Sequence, residues 1–245
     1  MSGSEGKASF GYRDVPAGEK AGMVRDVFAK VAPRYDLMND VMSFGVHRIW
    51  KRLFLDKLGL RDREALLDVA GGTGDIALAA LARAPGAKIS LADVNIEMIA
   101  AGRNRPNAER IQWVAGDAEK LPFAEQSFDA YTIAFGIRNV TDLDAALSEA
   151  RRVLKRGGRF YCLEFSTVTV PGLDALYDFY SFKAIPRLGR AIAGTSEAYA
   201  YLVESIRRFP KPEDFAKRMR AQGLASVSWT RLSGGIAAIH SGWRI

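Results

Sequence analysis

LLDVAGGTGDIALAA, residues 66–80, joins a short apolar run to a helical pattern through three glycines within four positions, Gly71, Gly72 and Gly74. The apolar run LLDV has the length of a buried strand, and DIALAA carries apolar residues at helical spacing. Glycine permits positive φ and lets a ligand lie against the main chain. A tight turn with close helix–strand packing accounts for one glycine readily and for three poorly. In open α/β sheets ligands bind at the carboxyl ends of the strands, so this strand-to-helix corner reads as a binding site.

The same alternation continues on both sides of the corner. From Ala65 onward strand-like runs (ALLDVAG, KISLADV, RIQWVAGD, FDAYTIAFG, GRFYCLEF) alternate with helical ones (DIALAALARA, IEMIAAGRN, LDAALSEARRVLK). Repeated βα units of this kind predict a Rossmann-like, doubly wound, mostly parallel sheet with helices on both faces. Two last β-rich runs, ASVSWTRLS and GIAAIHSGWRI, meet at Gly234-Gly235. That dipeptide predicts an antiparallel C-terminal hairpin, which makes a seven-stranded sheet. Residues 1–20 are polar and without periodicity, and read as a disordered tail. The remaining span, residues 21–245, reads as one domain. It carries two helical cap elements, residues 21–60 and 171–222; Pro33 interrupts the first and Gly59 ends it.

Composition narrows the setting. The chain has 245 residues, is 48% hydrophobic and 26% charged, and carries 35 Lys and Arg against 28 Asp and Glu. A single cysteine, Cys162, excludes an internal disulfide framework and a cysteine-based zinc site, and its apolar neighbours mark it as a buried thiol. No metal site is expected from only two histidines, His47 and His240, so far apart in sequence. No run approaches the roughly 18 apolar residues of a membrane span, so the expected location is the cytoplasm. The net charge of +7 permits contact with an anionic membrane surface. The basic stretch IRRFPKPEDFAKRMR reads first as a solvated helix face, and no nucleic-acid recognition motif is present.

The dinucleotide fingerprint G-x-G-x-x-G is incomplete, with Ala at position 77. Asp93 closes the second strand, where an acid accepts hydrogen bonds from ribose hydroxyls. Nicotinamide and S-adenosylmethionine enzymes share that feature. Asp117-Ala118 in VAGDAEKLPF closes the third strand, where an acid can accept from an adenine amino group. Together with SFDAYTIAFGIRNV and EARRVLKRGGRF, the order of these motifs resembles the class I S-adenosylmethionine-dependent methyltransferases over about residues 60 to 165.

Outside that core the likeness becomes more specific. VFAKVAPRYDLMNDVMSFGVHRIWK, DVAGGTGD, FGIRNVTD, YSFKAIPRLG, YAYLVESIRRFP and GGIAAIHSGWR are similar to motifs of the ubiquinone/menaquinone biosynthesis C-methyltransferase family. The resemblance runs from Gly22 to the end. It implies S-adenosylmethionine as cofactor and methylation of a ring carbon on a polyprenylated benzoquinol or on demethylmenaquinol. It also implies cofactor contacts at Thr73, Asp93 and the Asp117-Ala118 pair, beside Gly71, Gly72 and Gly74. Where many members carry Ser before the FG of FGIRNV, this chain has Ala134, so that hydroxyl contact is absent. Members often have Asn in place of Asp117.

A quinol ring carbon becomes nucleophilic when a neighbouring hydroxyl, with a pKa near about 10, loses its proton. Arg138 is a candidate to stabilise the phenolate or hold a water, with an ion pair to Asp142 or Asp144 as its plain alternative. Tyr35, beside Asp36 and Asn39, is a candidate to place its ring or hydroxyl near the sulfonium. His240 reads as a core histidine and His47 as a surface one. Leu173, Leu176, Tyr177, Phe179, Tyr180, Phe182, Ile185 and Leu188 offer an apolar groove for an isoprenoid tail, and Lys183, Arg187, Arg190, Arg207 and Arg208 a basic face for a peripheral membrane contact. A quinone-biosynthesis complex or a homo-oligomer is the expected assembly. Another phenolic or lipid acceptor, or a non-catalytic accessory subunit, remains open.

Overall fold

The computed structural model describes residues 6–31, 45–168 and 197–245. Five strands, β3 (Ala65–Val69), β4 (Lys88–Asp93), β5 (Ile111–Ala115), β6 (Phe128–Ala134) and β7 (Leu154–Phe165), run parallel in the order β5-β4-β3-β6-β7. The sheet is completed by β9 (Ala237–Trp243), antiparallel to β7, and β8 (Ala225–Leu232), antiparallel to β9. The expected seven-stranded, mostly parallel sheet with a C-terminal hairpin is therefore present. Its turn, Ser233–Gly235, places Gly234 at φ 67°, which the Gly-Gly dipeptide makes possible.

The central strands are apolar without alternation because both faces are covered. Leu66 and Leu67 are both fully buried yet enter different cores. On one face Leu66 joins Trp50, Phe54 and Ile76, from α2 (His47–Leu58) and α3 (Asp75–Arg83). On the other Leu67 joins Leu147 of α5 (Leu143–Val153) and Phe215 and Met219 of α7 (Pro212–Ala221). Two further helices are α4 (Ile96–Arg103) and α6 (Glu197–Arg208). The α2 pattern follows heptad-like spacing: His47, Trp50, Phe54 and Leu58 are all buried, and Gly59 at φ 57° caps the helix. His47, expected at the surface, is thus interior, because it shares the inward stripe of its helix with Trp50 and Phe54.

The first residues also depart from expectation. Within the supposed tail, β1 (Lys7–Phe10) pairs antiparallel with β2 (Arg13–Pro16), and α1 (Ala17–Val31) follows at once. Phe10 stacks on Tyr201 at 4.4 Å between centroids, and Arg208 binds Asp14 at 2.9 Å and the Tyr12 carbonyl at 2.8 Å. The surface that orders this hairpin comes from α6, up to 196 residues later. A local reading of a polar segment contains no sign of it.

Cys162 is buried, and burial pushes its thiol well above the ordinary value, in keeping with a structural role. His240 lies on β9 between Phe215 and Trp229, with Nε2 at 3.2 Å from the Pro212 carbonyl. Burial lowers its pKa from 6.5 to about 4. A histidine kept neutral in the fold stabilises it above the unfolded pKa and loses that contribution as pH falls through the folded one. Unfolding free energy should therefore drop by about 3 kcal/mol between pH 6.5 and 4, at about 1.4 kcal/mol per pKa unit. His240→Gln should flatten the slope in denaturant titrations over that range. An unchanged slope would remove His240 as its cause.

Candidate functional site

The strand order reverses between β3 and β6, and a cleft opens there at the carboxyl ends of the strands. Its walls include Ala70 and Gly72 after β3, Asp93, Asn95 and Met98 after β4, Asp117, Ala118 and Glu119 after β5, and Phe135, Asn139 and Thr141 after β6. A smaller compartment adjoins it through Ala70, Gly72 and Phe135, and holds Lys51, Asp68, Gly71, Thr73 and Asp75.

Two wall residues shared by both compartments, Ala70 and Phe135, sit at φ 51° and 57°. Left-handed backbone at residues with a Cβ is costly, and such strain gathers at ligand sites. The three glycines of the corner divide the work. Gly72, at φ 55°, faces the cleft. Gly74, at φ 88°, leaves space that Trp113 fills, since a Cβ there would lie 2.7 Å from the indole. A Cβ on Gly71 would meet Leu91 at 2.6 Å and Asp68 at 2.9 Å. Helix–sheet packing accounts for more of the glycines than the sequence reading allowed.

Asp93 is buried with each carboxylate oxygen on one backbone N–H: Oδ2 accepts from Gly72 at 2.7 Å and Oδ1 from Asn95 at 2.8 Å. Burial raises its pKa against those bonds. Each oxygen still has acceptor capacity toward the cleft. Asp117 Oδ1 accepts from the Glu119 N–H at 2.9 Å, which holds its loop beside Ala118. Thr73 takes Arg105 on its carbonyl at 3.1 Å and on its hydroxyl at 3.4 Å. Arg105 and Lys51 also bind Asp75; against the cost of burial they bring its pKa to about 2.

Two groups here escaped the sequence reading. Asp68 Oδ1 accepts from the Thr132 hydroxyl at 2.8 Å, but its buried Oδ2 has no partner among the described residues. Burial, opposed by Thr132, pushes the Asp68 carboxyl up to about 7. Asn95 caps α4 through Met98 N at 3.1 Å while its buried Nδ2 is likewise unpartnered among the described residues. Their positions, three before the first corner glycine and two after Asp93, were the available signal. An unsatisfied buried acceptor and donor in one site call for a polar ligand.

Arg138 is placed differently from either expectation. It is buried, and Nη1 meets Glu164 Oε1 at 2.9 Å. Asp142 instead caps α5, and Asp144 pairs with Arg218 at 2.8 Å. Arg138 is among the residues that line a hollow behind the loop and not among those that line the cleft. Tyr35, Asp36, Asn39, the apolar groove residues 173–188, and Lys183, Arg187 and Arg190 lie outside the described residues. Of the basic face, Arg208 is engaged by Asp14.

The sequence model of the ubiE/COQ5 methyltransferase family matches residues 16–244. The chain belongs to that family. It is 57% identical over 244 residues to a ubiquinone/menaquinone biosynthesis C-methyltransferase UbiE of Bradyrhizobium sp., covering 96% of each chain. Identity to the protein of that name from Paracoccus denitrificans is 55% over 240 residues, again with 96% coverage of both. Among solved structures, a Thermotoga maritima S-adenosylmethionine-dependent methyltransferase superposes with TM-score 0.63 at 20% identity, covering 91% of this chain and 100% of that one. A Haemonchus contortus phosphoethanolamine N-methyltransferase in complex with S-adenosyl-L-methionine gives 0.60 at 14% identity, covering 80% of this chain and 52% of that one. These distant likenesses establish the methyltransferase fold. No helix among the described residues is long and apolar enough to cross a membrane.

Proposed function

We infer that the protein is an S-adenosylmethionine-dependent C-methyltransferase that methylates a ring carbon of a polyprenyl quinol in ubiquinone or menaquinone biosynthesis. The observation that carries this is near-full-length identity above half to the UbiE relatives. The cleft fits the cofactor. Asp93 has free acceptor capacity for ribose hydroxyls, Asp117 and Ala118 flank the adenine side, and the unpartnered Asp68 carboxyl and the Thr73 corner suit the amino-acid end. S-adenosylmethionine supplies an electrophilic methyl on a sulfonium. The chain's part is to align the acceptor carbon and to exclude water. Gly71, Gly72 and Gly74 shape the corner for it. For catalysis we retain Tyr35 near the sulfonium. Arg138 acts on the phenolate only if its Glu164 pair opens, and otherwise holds the loop that forms the cleft wall. A peripheral membrane contact on the cytoplasmic side, and assembly with other quinone-pathway enzymes or with itself, complete the reading.

The test is transfer of labelled methyl to two chemically reduced acceptors with short isoprenoid tails, a demethylated benzoquinol and demethylmenaquinol. Label on a ring carbon of either is expected, and the preferred ring identifies the pathway. If neither is labelled while S-adenosylhomocysteine binds, the quinol assignment is wrong.

A further inference from the structure

Behind the loop that walls the cofactor cleft lies a second hollow, open to solvent. It is bounded by the N-terminal hairpin, the start of α1, the 137–143 segment and the end of α6. Among the described residues that line it, five are cationic, Lys7, Lys20, Arg138, Arg208 and Arg218, against one acidic, Asp142. Three of the five are matched by acids, Arg138 by Glu164, Arg208 by Asp14 and Arg218 by Asp144, and Asp142 Oδ1 is spent on the α5 cap. Lys7 and Lys20 have no ion-pair partner among the described residues. Lys20 is only 5% exposed, and burial lowers its pKa although Glu119 lies near enough to oppose this. Arg138, 8% exposed, borders the hollow with its Nε unpartnered among the described residues. Two lysines without an acidic partner at one hollow are the chemistry of an anion site.

The hollow is also mechanically tied to the cofactor cleft. Lys20 donates to the Val140 carbonyl at 2.5 Å, and Val140 and Thr141 form cleft wall. Thr141 borders both spaces, and its N–H binds the carboxylate of Glu119, another cleft residue. We propose that the hollow binds a phosphate group, free or on a lipid headgroup, and that its occupancy is coupled to that of the cofactor cleft. An anion there compensates Lys20 and Lys7 and stiffens the loop that Lys20 holds. Coupling of this kind is reciprocal, so the anion tightens cofactor binding by the factor that the cofactor tightens the anion.

The test is calorimetric titration of the full chain with S-adenosylhomocysteine at one ionic strength. Three media are compared: sodium chloride, inorganic phosphate, and dihexanoylphosphatidylglycerol below its micelle concentration. A phosphate group should lower the Kd about fivefold or more relative to chloride. Tightening by inorganic phosphate marks a free anion as the ligand; tightening by the lipid alone marks a headgroup. Lys20→Met should abolish the effect but also removes a loop anchor, so Lys7→Met is the decisive variant. Lys7 lines the hollow and not the cleft, and its replacement should keep the chloride Kd while losing the response. Equal Kd in all three media, or a response that survives in Lys7→Met, overturns the proposal.

Discussion

Removing Arg138 should destabilise the protein by about 3–5 kcal/mol, the cost of leaving one partner of a buried ion pair unmatched. Its side chain is 2% exposed and that of Glu164 1%. Glu164 also binds the Phe165 N–H at 2.8 Å, and the guanidinium lies over the Phe165 ring at 5.8 Å. Burial raises the Glu164 pKa despite the arginine beside it, so the carboxylate depends on that partner to stay charged. Arg138→Met therefore strands a carboxyl, and Glu164→Gln strands a guanidinium. The double variant Arg138→Met/Glu164→Gln should recover much of either loss, because neither charge is then left alone. Chemical denaturation of the three variants measures this. If Arg138→Met loses methyl transfer with its stability intact, the pair is dispensable to the fold and the arginine works on the substrate.

Asp93→Ala should weaken S-adenosylhomocysteine binding by at least about 100-fold. Hydrogen bonds to a charged acceptor contribute roughly 1.5–3 kcal/mol each, and two ribose hydroxyls would be lost. The same change releases the Gly72 and Asn95 N–H groups that Asp93 now anchors. Asp93→Asn keeps the shape and one acceptor oxygen, so it should fall between Ala and the native residue. Calorimetry on folded variants, checked by circular dichroism, reads the effect. Native-like affinity in Asp93→Ala would move the ribose to another acceptor.

The parallel sheet, its order of βα units and the C-terminal hairpin were legible in the sequence because each rests on local periodicity and turn chemistry. Gly59 ending α2 and Gly234 turning the hairpin are of that kind. The gathering of Gly72, Asp93, Asp117 and Ala118 at one cleft was legible too, since they stand at strand ends, which the topology brings to one edge of the sheet. What escaped depends on contacts distant in sequence. The pairing of Arg138 with Glu164 spans 26 residues and two strand ends, so the nearer acids Asp142 and Asp144 looked the better partners. Lys20 reaches Val140 across 120 residues, and the N-terminal hairpin is ordered by α6. Local pattern is enough to say which elements form and which strand ends meet at the cleft. Packing in three dimensions sets which charges meet, which buried polar atoms of Asp68 and Asn95 are left for a ligand, and which glycines serve the helix–sheet contact. Periodicity is a property of neighbours along the chain, whereas burial and charge matching are properties of neighbours in space.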